Sequence, residues 1–86
     1  MKIQNAIKKL EKAGFKVTND EELRSQLFVA RRENSTHVVE FMKNGGNSDQ
    51  VTCIRVKRVN DQDDIMTDYF SGVWCDNITQ AIRVAS

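Results

Sequence analysis

The sequence contains no proline and only four glycines among its 86 residues. Proline and glycine are the most common turn residues, so most turns here must rely on Asn, Asp and Ser side chains. The clearest loop is the stretch from Asn44 to Ser48, whose Asn-Gly step is typical of a hairpin turn. The lack of proline therefore excludes neither helices nor strands, but the sequence marks few of their ends clearly.

Histidine and cysteine are also scarce, with His37 the single histidine and Cys53 and Cys75 the two cysteines. A structural zinc site needs four ligands in closely spaced pairs, and the sequence has no such set. No local signature of a catalytic cysteine or serine accompanies these residues either. We therefore expect a protein without a metal or other cofactor, and not an enzyme.

Both cysteines lie in apolar segments without a C-x-x-C spacing. A free cysteine behaves as a small hydrophobic residue, so we predict two buried thiols in a reducing cytosol. A disulfide between two neighbouring strands is the alternative, and it would need a secreted protein.

A strong charge of one sign is missing too, because the formal net charge is only +1. Nothing in this balance requires a nucleic acid or an acidic membrane as partner. No stretch has the length of a membrane span, and the first twelve residues carry four lysines instead of the apolar segment of a signal peptide. We expect a cytoplasmic protein that does not bind membranes.

The composition is that of a globular protein, with 40% hydrophobic and 29% charged residues. We predict one domain over residues 1–86. A core of this size leaves little stability in reserve, so a homodimer remains an open alternative.

Helical periodicity appears at both ends of the chain. The first helix is predicted to end at Gly14, and the last to be capped by Asp76 or Asn77. The apolar residues of the two stripes are Ile3, Ala6, Ile7 and Leu10, and Ile78, Ala81, Ile82 and Ala85.

Alternating or apolar-rich segments between the helices predict strands. They are Gln26 to Arg32, His37 to Lys43, Gln50 to Val59, and Ile65 to Cys75 interrupted at Gly72, with a short extended piece at Phe15 to Val17. We predict an α+β fold, an antiparallel meander of about four strands with both terminal helices packed on one face. The aromatic residues of the last segment, including Trp74, are expected in the core; the alternative is an exposed aromatic cluster beside the aspartates that binds a protein.

The opposite sheet face is expected to be partly exposed. Strand alternation puts Glu40 and Met42 there, together with cationic side chains. With Arg58 added, these cations form a candidate binding surface for a protein or for nucleic-acid phosphates: Arg31, Arg55, Lys57 and Arg58. The alternative is that they keep an open face soluble.

A cluster of aspartates follows this basic strand. Neighbouring patches of opposite charge favour docking onto a charged protein, and an ordinary solvated loop is the alternative. The candidate acidic docking loop consists of Asp61, Asp63, Asp64 and Asp68.

Two resemblances bear on function. The lysine-rich first helix, Ala13-Gly14-Phe15 and the strand start Ser35-Thr36-His37 resemble the HicA class of toxin ribonucleases, which carry a Gly-Ser-His motif. That resemblance implies RNA cleavage by His37, although the glycine of the motif is missing here.

The chain from Val51 to Ser86 resembles small uncharacterised phage and prophage proteins. The residues that carry this second resemblance are Cys53-Ile54-Arg55-Val56-Lys57-Arg58, the D-x-M-T-D-Y-F segment Asp64 to Phe70, and Asp76-Asn77-Ile78. It implies a small accessory protein in a bacterial cytoplasm. The leading hypothesis is therefore a non-enzymatic, phage-related interaction protein that binds another protein. The alternatives are a nucleic-acid-binding module and a HicA-like RNA-cleaving toxin domain.

Overall fold

The computed structural model describes residues 1–19, 27–33, 35–43, 49–58 and 72–85. Its two helices are α1 (Ile3–Lys12) and α2 (Ile78–Val84). Its strands are β1 (Lys16–Asn19), β2 (Leu27–Arg31), β3 (His37–Lys43), β4 (Val51–Arg58) and β5 (Val73–Trp74).

The strands form one antiparallel sheet in the order β1-β2-β3-β4-β5. This confirms the predicted α+β meander. The described residues contain five strands and not about four, because the extended piece after α1 pairs along its whole length with β2. The predicted loop from Asn44 to Ser48 lies outside the described residues, as does most of the predicted strand from Ile65 to Cys75.

Both helices pack on one face of the sheet, as predicted. The register aligns Val17, Ala30, Val39 and Val56 in a row across four strands, and that row contributes to the core. Helix residues complete the same cluster, among them Ile3, Ala6, Leu10, Ile78 and Ala81. The periodic stripes of the two helices are therefore the surfaces that cover the sheet.

Helix α1 ends where the sequence predicts. Gly14 has a φ of +95°, a conformation that residues with a Cβ rarely adopt. The backbone N–H of Phe15 donates to the carbonyl of Leu10 at 2.9 Å, and the buried Phe15 ring joins the core. The turn thus reverses the chain directly into β1.

Arg32 links the ends of both helices. Its guanidinium lies 4.8 Å from the centre of the Phe15 ring and donates to the carbonyl of Ala85 at 3.5 Å. A cation at a helix C-terminus also interacts favourably with the helix dipole. The connection between β2 and β3 therefore holds the two helices at the same end of the sheet.

Helix α2 begins with a reciprocal capping pair. The Asn77 side-chain oxygen accepts from the N–H of Gln80 at 2.8 Å, and the Gln80 side-chain oxygen accepts from the N–H of Asp76 at 2.8 Å. Of the two caps that the sequence allows, Asn77 is the one used.

Replacing Asn77 with alanine should lower the free energy of unfolding by about 1 kcal/mol, because the first turn of α2 loses its acceptor. Urea denaturation followed by circular dichroism measures this loss. Asn77→Ser is the matched control, since serine caps helices equally well. Equal stability of the two variants would show that the cap contributes nothing.

Candidate functional site

A buried cluster of charges lies on the sheet face opposite the helices. One carboxylate oxygen of Glu40 accepts from Nη2 of Arg55 at 3.0 Å and from Nζ of Lys57 at 3.2 Å. Glu40 and Arg55 are direct partners across β3 and β4, and Lys57 follows two residues later on the same face. The side chains of Glu40, Arg55 and Lys57 are only 8%, 17% and 11% exposed.

This burial corrects the expectation of a partly exposed face at its centre. Glu40 and Lys57 are buried, and Val38 beside them is 1% exposed. Arg31, Met42 and Arg55 are half-buried, as expected. Charges taken out of water are tolerated only when they are paired, and Glu40 supplies the pairing charge for two cations.

The register shows which predicted basic residues come together. Arg31 pairs with Val38, which pairs with Lys57, so Arg31, Lys57 and Arg55 share one face. Arg58 does not join them, because it pairs with His37 on the side that faces the helices and is exposed. The acidic docking loop lies outside the described residues, and so do Tyr69 and Phe70.

Trp74 stands out on β5, the last strand of the sheet. It was expected in the core, but it is 55% exposed, and Val73 is 50% exposed. Trp74 pairs with Arg55 across β4 and β5, and the Arg55 guanidinium lies 5.1 Å from the centre of its ring. The expectation was wrong because, among the described residues, β5 is the edge strand of the sheet and its side chains have a neighbouring strand on one side only.

Gly72 allows the chain to enter β5 closely above Arg55. A Cβ at this position would lie 2.8 Å from Cγ and 2.9 Å from Cδ of Arg55. Only glycine fits such an approach without a shift of the arginine stem. The Arg55 side chain that contacts Trp74 is thus held by its ion pair with Glu40 and by the nearby backbone of Gly72.

Two short segments cover part of the outer edge of β4. One is β5, and the other is the start of the chain, where Lys2 bridges to Gln50 and the N–H of Val51 donates to the carbonyl of Met1 at 2.8 Å. Met1 is also exposed. We call this surface the β4–β5 edge and define it by Met1, Val73 and Trp74, three of the four large apolar side chains that are exposed among the described residues.

A bulge interrupts β4 inside this edge. Glu40 pairs with Arg55 and Met42 pairs with Thr52, so two residues, Cys53 and Ile54, lie opposite Phe41. Cys53 has a φ of +52° and is exposed. The prediction that Cys53 is buried followed from its apolar neighbours, and it is wrong because Cys53 lies in the bulge with its side chain exposed.

Cys75 directly follows β5 and lies next to the bulge. Its backbone N–H donates to the carbonyl of Ile54 at 3.0 Å, and its side chain is partly exposed against the core. Burial, together with the negative charge of Asp76, raises the pKa of the Cys75 thiol. This thiol is predominantly protonated at neutral pH.

His37 lies at the far end of β3 from the bulge. Its Nδ1 is 3.1 Å from the hydroxyl of Thr36, and its backbone N–H donates to the hydroxyl of Ser35 at 3.2 Å. Arg58 lies across from it on β4. Neither cysteine is placed beside His37, so the geometry gives no thiol–imidazole pair.

Within the described parts of the chain, no three His, Cys, Asp or Glu side chains gather as a metal site requires. No helix there is both long and apolar enough to span a membrane. In comparisons with known proteins, no family model matches the chain, and neither does any curated protein or any solved structure.

Proposed function

We propose that this chain is a non-enzymatic accessory protein that binds another protein through the β4–β5 edge. The observation that carries the proposal is the exposure of Trp74 on an edge strand, with Arg55 stacked on its ring. Tryptophan and arginine dominate the binding energy of protein interfaces. A tryptophan already fixed in place also loses little conformational entropy when a partner binds.

The backbone of β5 favours an extended partner segment. Because Cys75 directs its N–H towards β4, the alternation of an antiparallel pair directs the N–H and C=O of Trp74 outwards. Among the described residues, no further strand pairs beyond β5. A partner strand that adds to this edge would find backbone hydrogen bonds and one exposed apolar side chain on each face of β5.

The charge cluster favours a protein partner over a nucleic acid. Phosphate binding needs accessible cations, whereas Arg55 and Lys57 are little exposed and share Glu40. Arg58 is exposed but lies on the other face. The proposal includes the bacterial cytoplasmic setting and the phage origin that the resemblance of the last third implies.

Trp74→Ala should weaken binding of the partner. Loss of a central interface tryptophan weakens affinity by about 2 kcal/mol or more, which is roughly 30-fold. The test is affinity capture from nuclease-treated bacterial lysate, followed by titration of the captured protein. Val84→Ala, which shortens an exposed apolar side chain on α2, is the matched control and should bind like the unchanged protein.

Other outcomes would contradict the proposal. Equal capture by Trp74→Ala would remove the edge as the binding surface. In a parallel capture without nuclease, recovery of nucleic acid that is released at moderate salt would favour the nucleic-acid alternative. A dimer that Trp74→Ala dissociates, measured by sedimentation, would identify a second copy of the chain as the occupant.

A further inference from the structure

Cys53 lies on β4, and Cys75 directly follows β5. Across the two strands they are offset by one residue. Cys75 is held opposite Ile54 by the 3.0 Å hydrogen bond, and Cys53 is the residue before Ile54. Directly opposite Cα atoms are about 4.5–5.5 Å apart, and those offset by two residues about 7–8 Å apart. An offset of one falls between these values, within or close to the roughly 4.4–6.8 Å that disulfides span.

The bulge removes the usual obstacle to such a bond. In regular strands, residues offset by one point to opposite faces and cannot be joined. Here Cys53 and Ile54 together oppose Phe41, whose side chain belongs to the core on the helix-covered face. The alternation slips by one residue between Thr52 and Ile54, so the regular pattern of the strand does not fix Cys53 to the face opposite Cys75.

Both thiols are at least partly exposed, and the polar contacts of their sulfur atoms are long. Cys53 is exposed, with the Thr52 hydroxyl 3.8 Å from its sulfur, and the partly exposed Cys75 has its sulfur 3.7 Å from the carbonyl of Val73. Cys53 also has a positive φ, which is rare for a residue other than glycine or asparagine. Such strain is common where a residue has a functional role.

We propose that Cys53 and Cys75 are a reversible redox pair that forms a disulfide between β4 and β5. A small disulfide such as oxidised glutathione is the oxidant. The Cys53 thiolate attacks one of its sulfurs, and the first glutathione leaves as a thiolate. The deprotonated Cys75 sulfur then attacks Cys53, the new S–S bond forms, and the second glutathione leaves as a thiolate. Two thiol protons are released, and the two electrons end on two glutathione molecules.

The order of the two attacks follows from the surroundings of each sulfur. Cys53 is the more exposed thiol, so it meets the oxidant first. The raised pKa of Cys75 slows its reaction with an external oxidant, but proximity allows it to resolve the mixed disulfide. The crosslink would tie β5 to the bulge directly beside Trp74, whatever partner the edge binds.

The test uses the purified chain equilibrated in reduced and oxidised glutathione buffers. After free thiols are blocked with a maleimide, intact mass should show a monomer two hydrogens lighter with no maleimide added. Dithiothreitol should restore two reactive thiols. The fluorescence of Trp74, the single tryptophan, should fall on oxidation, and the urea midpoint should rise because the crosslink restricts the unfolded chain.

Cys53→Ser and Cys75→Ser are the controls, and each should take up one glutathione without forming a crosslink. Glutathione adducts on both cysteines of the unchanged chain would overturn the proposal. So would a disulfide between two chains, or two thiols that stay unmodified in fully oxidised buffer. No binding partner enters this test, so its failure would leave the proposed function unaffected.

Discussion

Glu40→Ala is expected to destabilise the protein by about 3–5 kcal/mol, because it removes the carboxylate that the buried Lys57 and the half-buried Arg55 share. Arg55 and Lys57 both contact the same oxygen of Glu40, and neither side chain is more than one fifth exposed. A typical small domain has a free energy of unfolding of about 5–15 kcal/mol, so the loss would bring the variant close to unfolding. Urea denaturation followed by circular dichroism measures it.

Two further variants isolate the charge effect. Glu11→Ala removes a carboxylate from the exposed face of α1 and should change stability by less than about 0.5 kcal/mol. Replacing the whole cluster with Glu40→Leu, Arg55→Leu and Lys57→Met should restore most of the stability, since a buried ion cluster can be exchanged for apolar residues. If Glu40→Ala unfolds at the same urea concentration as the unchanged chain, the carboxylate does not compensate the cations.

The sequence predicts the helices and the sheet faces well because each has one buried side. The spacing of Ile3, Ala6 and Leu10 follows the helical period, and these residues are buried on the sheet. The alternation of Val39 and Phe41 with Glu40 assigns both faces of β3 correctly. These patterns arise from burial itself, so they survive without any knowledge of the strand order.

The bulge could not be predicted in this way. A bulge adds one residue to one strand and leaves the hydrophobic pattern almost unchanged. Positive φ is usually marked by glycine or asparagine, but here the position is Cys53. The apolar neighbours of Cys53 therefore predicted it to be buried, whereas it lies in the bulge and is exposed.

The contacts between neighbouring strands could not be predicted from the sequence either. Glu40, Arg55 and Lys57 were placed on one face, but a face assignment does not say how much water reaches it. The contact of Arg55 with Trp74 depends on the register of β5, which no local pattern specifies. Aromatic residues are most often buried, so the exposed edge position of Trp74 had no signal in the sequence.

Phe41→Ala should destabilise the chain by about 3–5 kcal/mol, because it empties a fully buried site at the centre of the sheet. The Phe41 ring is 0% exposed and stacks on Phe28, with ring centres 5.3 Å apart and an angle of 7° between the planes. Thermal and urea unfolding followed by circular dichroism measure the loss. Phe28→Ala is the matched control and should cost clearly less, since Phe28 is only half-buried.

The position of Phe41 opposite the bulge adds a second readout. Cys53 and Ile54 both lie across from Phe41 in the register, and Ile54 belongs to the same core cluster as the Phe41 ring, so loss of the ring removes a core neighbour of the bulge. The maleimide reaction of Cys53 should then become faster in Phe41→Ala, measured in a Cys75→Ser background, while Phe28→Ala should leave it unchanged. Equal reaction rates would mean that backbone pairing alone holds the bulge. A stability loss below about 1.5 kcal/mol would mean that the core closes around the missing ring.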